Sequence, residues 1–187
     1  IGVEVESAAK VCHVLRDHNC HCMVQWQCTG IYLFPILRFY EKIFKENRFL
    51  GDITKVKVDD IPQFDFLFAG FPCQPFSKGG HRKGFEDTRG TLFFDIARII
   101  DKHKPKFVLL ENVSNLLTHD EGKTFEVITK TLRELGYALN DRPIILSPDM
   151  FGVPVIRNRL YIPAIRIDEV GKQNFSLDFN KDSRQSK

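Results

Sequence analysis

No long apolar run occurs in this sequence of 187 residues; the longest, Ile31 to Leu37, is interrupted by Pro35 and is too short to cross a bilayer. No signal peptide is visible, and no internal repeat points to a solenoid or propeller. The cysteines number five, an odd count without a regular framework, which fits a reducing interior better than a secreted disulfide scaffold. Charge of one sign is also scarce. A net charge of +3 permits a nucleic-acid partner without arguing for one, and a solvated surface is the simpler account.

What is present is ordinary for a globular chain. Hydrophobic residues make up 43% and charged residues 27%, enough to bury one sizeable core, so a single domain is expected. Gly2-Val3-Glu4-Val5-Glu6 reads as a short strand ending in acid, followed by a helix from Ser7 through Leu15. Phe49-Leu50 leads to a strand end at Gly51-Asp52-Ile53, and Phe64 to Ala69 is a buried strand. Thr91 to Asp101 carries Leu92, Ile96, Ile99 and Ile100 at helical spacing. Phe107 to Leu110 reads as a strand, Glu121 to Leu135 as a helix stopped by Gly136, and Tyr137 to Leu146 and Leu160 to Ile165 as further strands. The polar tail, Asn180 to Lys187, is expected to fray. Strands alternating with helices predict an α/β fold with a doubly wound sheet.

Two strand ends carry chemistry. Gly70-Phe71-Pro72-Cys73-Gln74-Pro75-Phe76-Ser77 puts a thiol on a Pro-flanked turn at the carboxyl end of the Phe64–Ala69 strand. Ligands bind at such ends in open α/β sheets. Glu111-Asn112-Val113 follows the next apolar run and offers a carboxyl. A nucleophile and an acid on neighbouring strand ends point to covalent catalysis with a proton donor. Residues 18–47 are harder to read. His18, Cys20, His21, Cys22 and Cys28 cluster there, but without a Cys-x-x-Cys pair they match no common zinc module; incidental cysteines are the simpler reading, and no metal is assigned. The stretch Ile31 to Phe44 fits a buried helix broken at Pro35, or equally non-homologous sequence that packs badly.

Taken in order, Phe-Pro-Cys-Gln-Pro-Phe-Ser, then Glu86-Asp87-Thr88-Arg89-Gly90-Thr91-Leu92-Phe93-Phe94, Glu111-Asn112-Val113 and Arg157-Asn158-Arg159 resemble the cytosine-5 DNA methyltransferases, most closely those of bacterial restriction-modification systems. The resemblance runs from about Gly51 to Ile165 and touches Ile1 to Ala9. It implies a Rossmann-like methyltransferase fold dependent on S-adenosylmethionine, incomplete at both ends. It also implies transfer of a methyl group to C5 of a cytosine flipped out of double-stranded DNA. Cytosine C5 is too weak a nucleophile unaided; a thiolate adding at C6 makes it enamine-like, and Cys73 is the expected nucleophile. Glu111 would hydrogen-bond N3 and the exocyclic amine, and a protonated carboxyl there would offset charge as the thiolate adds. Arg159 would touch O2, and Arg157 would help order the catalytic loop. The family places Gln where Val155 stands, which puts a supporting contact in doubt but not the arginine pair.

For the cofactor the resemblance implies Glu4 on the ribose hydroxyls, Asp52 on the adenine amine and Ile53 against its ring, with Val5, Pro72 and Leu92 at further contact positions. Gln74, Ser77, Lys78, Arg82 and Lys83, in and before the basic loop Ser77 to Asp87, are expected to meet DNA, although a generic solvated loop would look similar.

By the same resemblance, residues 1–187 are expected to be the middle of a longer catalytic domain, with a probable insertion at about 18–47. The family's glycine-rich loop would precede Ile1, and its target-recognition region would follow Lys187. Activity of these residues alone is expected to be negligible. Two alternatives stay open: a transfer-RNA cytosine-5 methyltransferase, and an inactive fragment or non-catalytic binding remnant. The implied setting is intracellular (cytoplasmic in a bacterium, nuclear in a eukaryote). The implied molecule is a monomer without membrane contact, whose cognate restriction endonuclease is a functional and not a physical partner.

Overall fold

A computed structural model describes residues 9–17, 20–28, 48–51, 53–71 and 92–177, with side chains at Leu50, 53–71 and 92–177. Its strands are β1 (Ala9–Asp17), β2 (Cys20–Cys28), β3 (Arg48–Gly51), β4 (Phe66–Gly70), β5 (Phe107–Val113), β6 (Tyr137–Asn140), β7 (Ile144–Leu146), β8 (Arg159–Arg166) and β9 (Asn174–Phe175). Helices α1 (Leu92–His103) and α2 (Lys123–Glu134) precede β5 and β6, and a single turn, α3 (Ile167–Val170), follows β8. One mixed sheet results, in the order β3-β1-β2-β4-β5-β8-β6-β9, with β7 also paired to β8. The β2–β4 and β4–β5 pairs are parallel, and β8 runs antiparallel between β5 and β6. This is the α/β class expected from the alternation of strands and helices, in the Rossmann-like form that the family resemblance implies.

Register decides which side chains share a face. Leu67 lies beside Val108, and Ala69 beside Leu110; Val108 faces Ala164 and Leu110 faces Ile162. All are buried in one cluster with Ile96, Ile99 and Ile100 of α1 and Ile128 and Leu132 of α2. The opposite face holds Phe66 stacked on Phe107, with ring centroids 4.8 Å apart, then Phe68, Leu109 and Glu111. That face is only partly covered, and Phe68 is 38% exposed. Tyr137, fully buried, donates its hydroxyl to the Pro105 carbonyl at 2.6 Å, and burial pushes its phenol well above the usual range. Arg166 closes the end of β8 by donating to the Lys104 carbonyl at 2.7 Å while pairing with Asp168 and Glu169. Among the described residues no helix is long and apolar enough to cross a membrane.

Several expected elements are revised. The helix expected over Ser7 to Leu15 gives way to β1, whose nine residues pair in unbroken antiparallel register with β2. The ladder supplies more hydrogen bonds than two helical turns would, and Val11 and Val14 favour extended backbone. Part of the segment read as an insertion, Cys20–Cys28, therefore stands in the sheet beside β4. The single strand expected from Tyr137 to Leu146 is two strands; Pro143 cannot donate to a ladder, and Asn140 Nδ2 bonds the Arg142 carbonyl at 2.7 Å to shape the turn. Helix α2 starts at Lys123 because Asp120, Glu121 and Gly122 all have positive φ. It ends before Gly136, whose φ of +93° lets the chain reverse into β6. Strand β5 continues through Glu111-Asn112-Val113 instead of stopping at Leu110. The expected strand at Gly2–Glu6, the helix near Ile31–Phe44 and the tail from Asn180 lie outside the described residues, as do the side chains of the cysteine cluster.

Candidate active site

The extension of β5 fixes the site. Glu111 lies in the ladder with Gly70 of β4 on one side and Tyr161 of β8 on the other. Side chains alternate across a strand, so Arg159, two residues before Tyr161, shares the Glu111 face. There Arg159 Nε donates to Glu111 Oε1 at 2.9 Å. The arginine is 22% exposed and the carboxylate 39%, so the pair is accessible yet desolvated on one flank. Arg159 Nη1 donates to the Asn158 carbonyl at 3.0 Å, and the guanidinium carries further N–H donors beside the carboxylate.

Gly70 sets the position of the other carboxylate oxygen. A Cβ built on Gly70 would lie 3.0 Å from Glu111 Oε2, so the absence of a side chain there lets the carboxylate lie over the exit of β4. Asn112 points to the opposite face and is 2% exposed. Its Nδ2 donates to the Phe71 carbonyl at 2.7 Å, and its Oδ1 accepts from the Val113 N–H at 2.8 Å. The chain leaving β4 toward Pro72 and Cys73 is thereby tied to the strand that carries Glu111.

Arg157 lies on the approach to β8. Its side chain is exposed, and its backbone N–H donates to Ser147 Oγ at 2.9 Å. Ser147, 4% exposed, donates a hydrogen bond from its own hydroxyl to the Asp149 carboxylate. This buried hydroxyl staples the two ends of a loop that projects Phe151, Val155 and Ile156 into solvent. Val155 is 49% exposed, so the apolar residue at the family's glutamine position makes no core contact.

Of the sequence-expected site residues, the structure brings Glu111 and Arg159 together and places Arg157 two residues from the pair. Ile53 and Leu92 are 0% and 3% exposed and belong to the same buried cluster. Cys73, Glu4, Val5, Asp52, Pro72, Gln74, Ser77, Lys78, Arg82 and Lys83 lie outside the described residues. Ser147 and Asp149 were not anticipated; the Ser-Pro-Asp order is a turn signal that does not tell which amide the hydroxyl will meet. Among the described residues no group of three His, Cys, Asp or Glu side chains is arranged to hold a metal.

The family model for C-5 cytosine-specific DNA methylase matches residues 20–187. The chain belongs to that family. The C-5 methylase chain is 52% identical over 141 residues to the Type II methyltransferase M.NgoBI of Neisseria gonorrhoeae, covering 74% of this chain and 44% of that protein. It is 50% identical over 138 residues to the Type II methyltransferase M.HhaI of Haemophilus parahaemolyticus, covering 74% and 41%. The crystal structure of a DNMT2 mutant from Spodoptera frugiperda superposes with a TM-score of 0.53 at 25% identity, covering 70% of this methylase chain and 39% of that one. The chain thus spans less than half the length of these relatives.

Proposed function

We propose that the intact protein methylates C5 of a flipped cytosine in double-stranded DNA, with Cys73 as the attacking thiolate. The observation that carries this reading is the Glu111–Arg159 pair, set beside the exit of β4 in a chain of the C-5 methylase family. A carboxylate oxygen and guanidinium N–H groups side by side complement the amine-N3-O2 edge of cytosine: the amine donates to Glu111, and O2 accepts from Arg159. Cys73 Sγ bonds to C6, two residues beyond the Phe71 carbonyl that Asn112 holds, and loss of the C5 proton after methyl transfer later expels it. Arg157, fixed through Ser147, helps order the loop that carries the nucleophile. Gln74, Ser77, Lys78, Arg82 and Lys83 contact the DNA.

S-adenosylmethionine, when bound, supplies an electrophilic methyl group. Glu4 would hold its ribose, Asp52 its adenine amine and Ile53 the face of its ring, with Val5, Pro72 and Leu92 at further contact positions. The two described members of that set, Ile53 and Leu92, are both apolar and belong to one buried cluster. A restriction endonuclease of the same recognition sequence is its functional counterpart, on the strength of relatives named Type II methyltransferases. The test is methyl transfer from labelled S-adenosylmethionine to cytosine in duplex DNA and in transfer RNA. Label in DNA, lost in Glu111→Gln, supports the reading; label in RNA alone overturns the choice of substrate, and label in neither supports a non-catalytic remnant.

A further inference from the structure

We propose that Arg98 is a positioning residue for cofactor binding, an inference that rests on the S-adenosylmethionine reading above. Arg98 lies in the middle of α1, the helix that begins at Leu92. Its guanidinium reaches out of the helix to the segment that follows Asp52. Nη2 donates to the Ile53 carbonyl and Nη1 to the Val56 carbonyl, each at 3.0 Å. No backbone donor among the described residues meets either carbonyl. Asp95, one turn earlier, lies 3.6 Å from Nη2 and steadies the guanidinium.

The geometry has a consequence for the pocket. Ile53–Lys55 is a turn outside any ladder; it is held against α1 by the buried Ile53 side chain and by the Arg98 guanidinium. One planar group holding carbonyls three residues apart fixes both the distance and the orientation of that turn. Ile53 is the proposed contact of the adenine ring and Leu92 a further cofactor contact, and Arg98 links the elements that carry them. It does so through backbone, without touching the ligand. Lysine can reach one carbonyl as a point charge but cannot span both in a fixed fork.

The experiment is calorimetric titration of the intact protein with S-adenosylmethionine, for the unsubstituted form, Arg98→Lys and Arg98→Met. Melting temperature, DNA affinity without cofactor and amide exchange at 53–57 are followed in parallel. Arg98→Met is expected to weaken cofactor binding by about tenfold or more. Arg98→Lys should fall between, exchange at 53–57 should quicken, and DNA affinity should stay unchanged. A lowered melting temperature with an unchanged dissociation constant would mean that Arg98 only staples the fold, and overturns the proposal. If Arg98→Met does not fold, Arg98→Lys carries the test, and unchanged binding there overturns it too. No binding by the unsubstituted protein sinks the S-adenosylmethionine reading, and this inference with it; binding unaffected by either substitution sinks this inference alone.

Discussion

Asn112→Ala removes a side chain that ties β5 to the exit of β4. The substitution leaves the Phe71 carbonyl, bonded at 2.7 Å in a buried setting, without its donor, and it frees the Val113 N–H from its 2.8 Å contact. An orphaned buried acceptor costs about 1–3 kcal/mol, and the half-exposed Val113 amide adds little because water can replace the lost partner. With a urea dependence of about 2 kcal/mol per M, the unfolding midpoint should fall by about 0.5–1.5 M at unchanged slope. Asn112→Asp is the sharper control. It keeps the shape and the acceptor for Val113 but turns an acceptor toward the Phe71 carbonyl, so it should destabilise at least as much as alanine. The assay is urea unfolding of the chain followed by circular dichroism. A midpoint within about 0.1 M of the unsubstituted protein, well below the expected fall, or Asn112→Asp more stable than Asn112→Ala, would refute the reasoning.

Tyr137→Phe should cost about 1–2 kcal/mol at neutral pH by stranding the Pro105 carbonyl. Because burial raises the folded phenol above its unfolded value of about 10, the unsubstituted protein binds more protons folded than unfolded once pH passes that value. It therefore loses stability as pH rises further; Tyr137→Phe lacks this term, and urea midpoints at pH 7, 9 and 10.5 should show the gap closing. Ser147→Ala should release the Arg157 amide, seen as faster hydrogen exchange there, with about 1 kcal/mol lost overall; unchanged exchange at Arg157 would contradict the staple.

The central sheet was legible because β4, β5, α1, α2 and β8 each carry a periodicity that their burial then satisfies: Ile96, Ile99 and Ile100 face the core as their spacing requires. What the residues concealed depends on partners remote in sequence. Ser7 to Leu15 has acceptable helical residues, and only the matching length of Cys20–Cys28 makes a strand pair there. The charge of Glu111 ends the apolar run in the sequence, yet Gly70 and Tyr161 hold it in the ladder, and pairing of Asn112 with Leu160 and Val113 with Arg159 carries the strand two residues further. The pairing of Glu111 with Arg159 follows from an antiparallel register across a gap of 48 residues, which no local pattern reveals. Arg98 and Ser147 act on backbone groups, and backbone groups carry no sequence signal.

The central proposal is that Cys73 adds to cytosine C6 beside Glu111 and Arg159. The most direct measurement is covalent trapping of the intact protein on duplex DNA with 5-fluorocytosine at the target position, in the presence of S-adenosylmethionine. Fluorine at C5 blocks the elimination that releases Sγ, so a denaturation-resistant complex should accumulate, with peptide mass spectrometry placing the link at Cys73. The complex should vanish in Cys73→Ala and form far more slowly in Glu111→Gln and Arg159→Gln. A complex linked through another residue, or one that persists in Cys73→Ala, would contradict the account.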